Sequence, residues 1–248
     1  MMNITETVKQ LLIINILFFV GSQFVPISYD LLALHYFESE KFKMWQPLSS
    51  MFMHGGIMHI AFNMFALYSF GSALEYNWGA KKFIFFYISC GLGASLLHSA
   101  FNYFEFTQAI KPLIESGLAN SKIINALNLQ EFDLFNGIIS QEQFDPIANV
   151  FYGTAVGASG AIYGLLVAFA FLYPNAELAL MFIPMPIKSK YFVPIILVID
   201  LFLGLKGNSL FGNGGTGIAH FAHLGGALCG FLMMWYWKKN EFDNNRWD

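Results

Sequence analysis

Three stretches of this 248-residue chain, 44–74, 83–104 and 146–176, contain no Asp, Glu, Lys or Arg. A soluble fold must cover its surface with charged and polar groups, and gaps of this length leave it too few. The composition agrees: 56% of the residues are hydrophobic and 12% charged, against about 25% charged in a soluble domain. A net charge of −3 also denies the chain the basic surface that a nucleic-acid binder needs. The solvent for most of the chain is therefore lipid.

A membrane helix takes about 20 mostly apolar residues. Six segments meet or approach that length: Leu11 to Ile27, Ile57 to Leu74, Phe83 to Phe104, one between Asp145 and Glu177, Tyr191 to Leu205, and Gly217 to Trp237. The first is followed by no small-x-small cleavage site and reads as a span rather than a signal peptide. The last closes on Trp235, Tyr236 and Trp237 and then Lys238 and Lys239, an aromatic belt with a cationic anchor. The expected fold is all-α, a six-helix membrane bundle forming one domain over residues 1–248. Six spans put both termini on one side. That side carries Lys9, Lys81, Lys82, Lys188, Lys190, Lys238, Lys239 and Arg246, and the other Lys41, Lys43, Lys111, Lys122 and Lys206. The excess predicts cytoplasmic termini in a cell (inner) membrane.

Residues 105–148 differ in composition. Glu105, Glu115, Glu131, Asp133, Glu142 and Asp145 face only Lys111 and Lys122. This acidic block reads as an extracytoplasmic insertion between the third and fourth spans, with a short helix from Pro112 to Leu129. Cys90 and Cys229 lie in apolar runs and read as small buried hydrophobes, not as a disulfide framework.

Polar groups inside a bilayer are costly and mark function by default. Three clusters qualify. The first is His54-Gly55-Gly56-Ile57-Met58-His59, continuing to Asn63, with His59 and Asn63 four apart on one helical face and His54 pointing elsewhere. The second is Gly157-Ala158-Ser159-Gly160, with Tyr163 one turn after the serine and Gly164 completing a small-x-x-x-small pattern with Gly160. The third is His220-Phe221-Ala222-His223, followed by Gly226 and Gly230. Each alone could be a packing motif, in which polar groups bond a neighbouring helix. His220 and His223 could also hold a metal, but no Asp or Glu stands beside them at ligand spacing, so no metal and no cofactor are expected. In the six-span topology, however, His59, Ser159 and His223 all fall within about two turns of the outer ends of their spans. A serine, a histidine and further hydrogen-bond donors at one depth supply what acyl transfer needs.

The ordered set His54-x4-His59-x3-Asn63, Gly157-x-Ser159-Gly160 and Ala222-His223-x-x-Gly226-x-x-x-Gly230 resembles the rhomboid family of intramembrane serine proteases. Gly71 and Glu75 resemble that family's Gly-x3-Glu, and the resemblance runs from Trp45 to Gly230, broken by the insertion. It implies a Ser159 nucleophile and a His223 general base, with His220 outside the matching position. It further implies that His59, Asn63 and the Ser159 N–H bind the oxyanion and that Tyr163 packs on His223. Gly157 and Gly160 would support the site, while Gly164, Gly226 and Gly230 pack the helices. The implied substrate is the transmembrane helix of another protein. Two departures stand out. The family's Trp-Arg pair is Trp45-Gln46 here, which removes a charge from the first loop, and the insertion precedes the serine helix. Asp200, on a span running the other way, reads as structural, because the family works with a Ser–His dyad. The alternative function is a non-catalytic rhomboid-like binder of membrane helices, a class marked by loss of the serine or histidine retained here. A transporter would want paired intramembrane charges, and Asp200 has no such partner in the sequence.

Overall fold

The computed structural model describes residues 3–180, 183–206 and 218–244. It is built from long helices. α1 (Glu6–Phe24), the segment Ile57–Trp78 and α6 (Ala80–Ala109) are each long and apolar enough to cross a membrane. α10 (Ser159–Leu172), α11 (Ser189–Lys206) and α12 (Ile218–Asn244) complete the bundle. Many apolar side chains point away from the protein: Leu17 on α1 is 64% exposed, Leu96 on α6 73% and Val198 on α11 64%. Water would penalise such helices, and lipid does not. The chain is an integral membrane protein.

Within Ile57–Trp78 the helix is not uniform. α4 (Ile57–Ala66) passes into a π-helical turn at Leu67–Gly71 and then α5 (Ser72–Trp78). After this turn, Glu75 is buried, where a lone carboxylate would be costly. It accepts from the Thr5 hydroxyl at 2.5 Å, the Thr7 N–H at 3.0 Å and the Val8 N–H at 2.9 Å. One side chain thus caps the N-terminus of α1, whose first N–H groups have no intrahelical acceptor.

α12 lies against both α6 and α10, and glycines make the contact close. A Cβ on Gly226 would sit 1.8 Å from the Gly160 carbonyl oxygen, one on Gly230 2.8 Å from the Gly164 Cα, and one on Gly160 2.3 Å from the Ala94 Cβ. The two backbones touch where side chains would hold them apart. Cys90 and Cys229 are free and fill the same seam as small groups. At the terminal end of the bundle Trp237 meets Trp78 edge-on with centroids 5.4 Å apart, and Lys82 Nζ lies 4.1 Å from the Trp237 ring.

The loop before α4 is folded rather than loose. It holds α2 (Ser28–Leu32) and α3 (Gln46–Ser49). Gln46 is fully buried. Its carbonyl accepts from the His35 N–H at 3.3 Å, and its amide donates to the Asp30 and Lys41 carbonyls at 3.2 and 2.9 Å. A neutral amide thus ties this loop together and needs no counter-charge. Trp45 donates to the Leu31 carbonyl at 2.8 Å.

The acidic segment forms α7 (Lys111–Glu115), α8 (Asn120–Leu129) and α9 (Gln141–Tyr152). The helix expected from Pro112 to Leu129 is broken, because the chain turns at Gly117 with φ +97°. α9 opens with a full capping box between Ser140 and Gln143. The segment buries Leu113, Ile123, Leu127 and Ile147 in a cluster with Phe106, Phe151 and the loop residue Tyr36.

One feature departs from an all-α chain: β1 (Glu177–Leu180) and β2 (Ile183–Lys188) pair antiparallel between α10 and α11. Gly217 and Arg246, used above to bound the last span and to orient the chain, lie outside the described residues.

Candidate active site

Ser159 is the first residue of α10. The approach to it is pinned at two points: Leu34 and Ala155 form an antiparallel bridge, and the Gly157 N–H donates to the Ser50 carbonyl at 2.9 Å. Gly157 has φ +126°, and a Cβ there would lie 2.7 Å from His59 Nε2 and 3.7 Å from Asn63 Nδ2. Both its backbone angle and the crowding require glycine. This turn aims the start of α10, with its free N–H groups, at the His59–Asn63 face of α4.

His223 closes the site from α12. Its Nε2 lies within hydrogen-bond distance of the Ser159 hydroxyl, at 2.8 Å. The ring stacks on Tyr163 with centroids 4.2 Å apart and planes 11° from parallel, so its plane is fixed from one side. The Gly226–Gly160 contact, three residues after His223 on α12 and one after Ser159 on α10, sets how near α12 comes to α10.

The opposite wall consists of donors. His59 Nδ1 accepts from the Gly55 N–H at 3.4 Å, which leaves Nε2 as the protonated nitrogen, and Nε2 is the atom nearest Gly157. Asn63 is buried, and its Nδ2 has no hydrogen-bond partner among the described residues. An unpaired buried donor is costly unless something arrives to accept from it. His54 does not point away as the spacing suggests. It is buried with its ring 5.1 Å from that of His59, and its carbonyl accepts from the Tyr29 hydroxyl at 2.6 Å.

A Rhomboid domain matches residues 41–240, four-fifths of the chain. The chain belongs to the rhomboid family. It is 26% identical over 192 residues to Rhomboid protein 1, mitochondrial, of Saccharomyces cerevisiae, covering 77% of this chain and 41% of that protein. Rhomboid protease AarA of Providencia stuartii is 26% identical over 195 residues, covering 76% and 54%. The human presenilin-associated rhomboid-like protein, mitochondrial, is 27% identical over 200 residues, covering 78% and 39%. This rhomboid chain thus spans about half or less of the length of these curated relatives.

His59, Asn63, Gly157, Ser159 and His223 gather at one end of the bundle, with Gly226 and Gly230 further along the α10–α12 seam, and one group that the motifs omit joins them. Asp200 of α11, read above as structural, is 2% exposed and faces both histidines of α12. His223 Nδ1 lies 3.2 Å from Asp200 Oδ2, and His220 Nδ1 bonds Asp200 Oδ1. The contact has a physical reason. A helix running the opposite way still passes every depth of its neighbours, so direction does not prevent contact. The expectation that no carboxylate accompanies His220 and His223 at ligand spacing also fails, because Asp200 supplies one from another helix. These three residues could offer ligand atoms within 4.8 Å of one another. As they stand, the Asp200 carboxylate already engages Nδ1 of both imidazoles.

A cleft of about 610 Å³ lies elsewhere, between α10, α11 and α12 beside Pro174, Lys190 and Lys238. It contains none of the motif residues.

Proposed function

We propose that this rhomboid is an intramembrane serine endopeptidase that cleaves transmembrane segments of other membrane proteins with a Ser159–His223 pair. The observation that carries the reading is the 2.8 Å contact between His223 Nε2 and Ser159 Oγ. At this distance a neutral imidazole can take the hydroxyl proton as Ser159 attacks a peptide carbonyl. Charge then develops on the carbonyl oxygen beside the Ser159 N–H, His59 Nε2 and Asn63 Nδ2. Donors aimed in advance at that oxygen are typically worth about 3–4 kcal/mol each. His223 returns its proton to the departing amine, and water hydrolyses the acyl-enzyme by the same steps in reverse.

A substrate helix shields its own peptide bonds, so the scissile segment has to unwind. Helix-breaking or small residues near the site end of the bundle would favour cleavage. The chain acts as one membrane domain, with 105–148 as an insertion outside the membrane. The lysine distribution favours cytoplasmic termini and a site that opens to the other side. The reading needs no metal or cofactor.

The test uses purified protein reconstituted with a membrane-spanning substrate. Ser159→Ala and His223→Ala are each expected to abolish cleavage, Ser159→Ala while keeping the wild-type melting temperature. A fluorophosphonate is expected to label wild type at Ser159. Retained cleavage in Ser159→Ala removes the nucleophile assignment, and failure of wild type to cleave or label favours a binding role.

A further inference from the structure

The Ser–His pair accounts for one nitrogen of His223. The other is engaged as well, by a residue that a Ser–His dyad leaves unused. For Nε2 to accept the Ser159 proton, the neutral ring must carry its own proton on Nδ1, and Nδ1 is the atom that faces Asp200 Oδ2. His220 stands one turn before His223 on α12 and presents its Nδ1 to the other oxygen of the same carboxylate.

We propose that Asp200 is a positioning residue for His223, held in turn by His220, so that Ser159, His223, Asp200 and His220 form one hydrogen-bonded relay. This rests on the reading of Ser159 and His223 as the hydrolytic pair. Three physical points support it. A carboxylate buried within a membrane bundle is strongly unfavourable unless paired, and here each oxygen receives an N–H. The carboxylate can only accept, so it fixes the proton on Nδ1 of both rings. Tyr163 fixes the plane of the His223 ring, and Asp200 fixes its rotation in that plane, which stacking leaves free. The imidazolium formed during attack would then be stabilised by an adjacent anion that needs no rearrangement.

Asp200→Asn tests the relay at nearly constant shape. An amide donates from nitrogen as well as accepting at oxygen, so it cannot accept from both rings, and one of them is driven to the wrong tautomer. In a serine protease with a carboxylate in this place, the same exchange costs about 10⁴-fold in kcat. Here kcat is expected to fall at least about 100-fold with KM within about threefold, and fluorophosphonate labelling of Ser159 to slow in parallel. His220→Ala is expected to lose about tenfold alone and nothing further in the Asp200→Asn background, because in the relay its effect on His223 runs through Asp200. Full activity in Asp200→Asn, or losses that multiply in the double variant, overturns the relay. Should Asp200→Asn not fold, the wild type decides. Nitrogen NMR of histidine-labelled protein, with His223 assigned by His223→Ala, is expected to show an Nδ1-protonated, hydrogen-bonded His223. An Nε2-protonated His223 overturns the proposal. If wild type neither cleaves nor labels, the hydrolytic reading falls instead, whatever the tautomer.

Discussion

Removing the Gln46 side chain strands three backbone groups at once: the His35 N–H and the carbonyls of Asp30 and Lys41. Unsatisfied buried groups cost about 1–3 kcal/mol each. Gln46→Ala is therefore expected to destabilise the protein by about 3 kcal/mol or more, read as a lower melting temperature in detergent. An unchanged melting temperature would mean that the loop does not depend on this amide. A second residue-scale effect concerns His54, in the loop before α4, whose imidazole is held by burial, and next by neighbouring His59, down to about 4. In an unfolded chain histidine titrates near 6.5. Between those values the unfolded state binds the proton and the folded state does not, so acid favours unfolding. Stability is expected to be complete above about pH 6.5 and to decline as the pH falls toward 4. His54→Leu, which removes the titrating ring, should flatten that part of the curve; an identical pH dependence in the variant would exclude His54 as its source. Residues of the site differed in how far they could be read in advance. His59, Asn63, Ser159, Tyr163 and His223 sit in short local patterns. Asp200 does not: its partners lie 20 and 23 residues away on another helix, and a lone acidic residue carries no periodicity to signal them.

At the scale of elements, the α10–α12 seam sets the distance between Ser159 and His223. Gly226→Ala would place a methyl 1.8 Å from the Gly160 carbonyl oxygen, and backbone cannot yield as a flexible side chain would. The helices must separate, carrying His223 away from Ser159. A displacement of about 1 Å at reacting groups can cost about 100-fold. Gly226→Ala is thus expected to lose roughly that factor in kcat even where the protein still folds. Wild-type turnover in the variant would show that the seam tolerates a Cβ. Long apolar helices were legible because lipid imposes their length and composition. The α7–α9 breaks, the π-helical turn at Leu67–Gly71 and the β1–β2 pair were not, since each depends on local backbone hydrogen bonding that hydropathy does not encode. The 107–143 segment covers Tyr36, Phe106 and Phe151 but contributes no group to the Ser159–His223 contact. Replacing it with a short Gly/Ser linker is expected to lower the melting temperature, because that cluster is uncovered, and to leave Ser159 reactive toward a fluorophosphonate. Loss of labelling in a variant that remains folded would make the segment part of the site.

For the molecule as a whole, one dimension stands apart. α10 has 14 residues, about 20 Å at 1.5 Å per residue, whereas the hydrocarbon layer is about 30 Å thick. A helix anchored at its far end therefore starts well inside the layer, with Ser159 at its buried tip. On the reading proposed above, the depth of Ser159 is fixed by protein geometry, while the depth of a substrate's unwound segment is fixed by how that substrate sits in its own lipid. The two registers coincide at one bilayer thickness and drift apart at others. Hydrophobic mismatch costs fractions of a kcal/mol per Å, so acyl-chain length would act as a substrate filter. A membrane of another thickness would present the same polypeptide to the same serine at a different peptide bond.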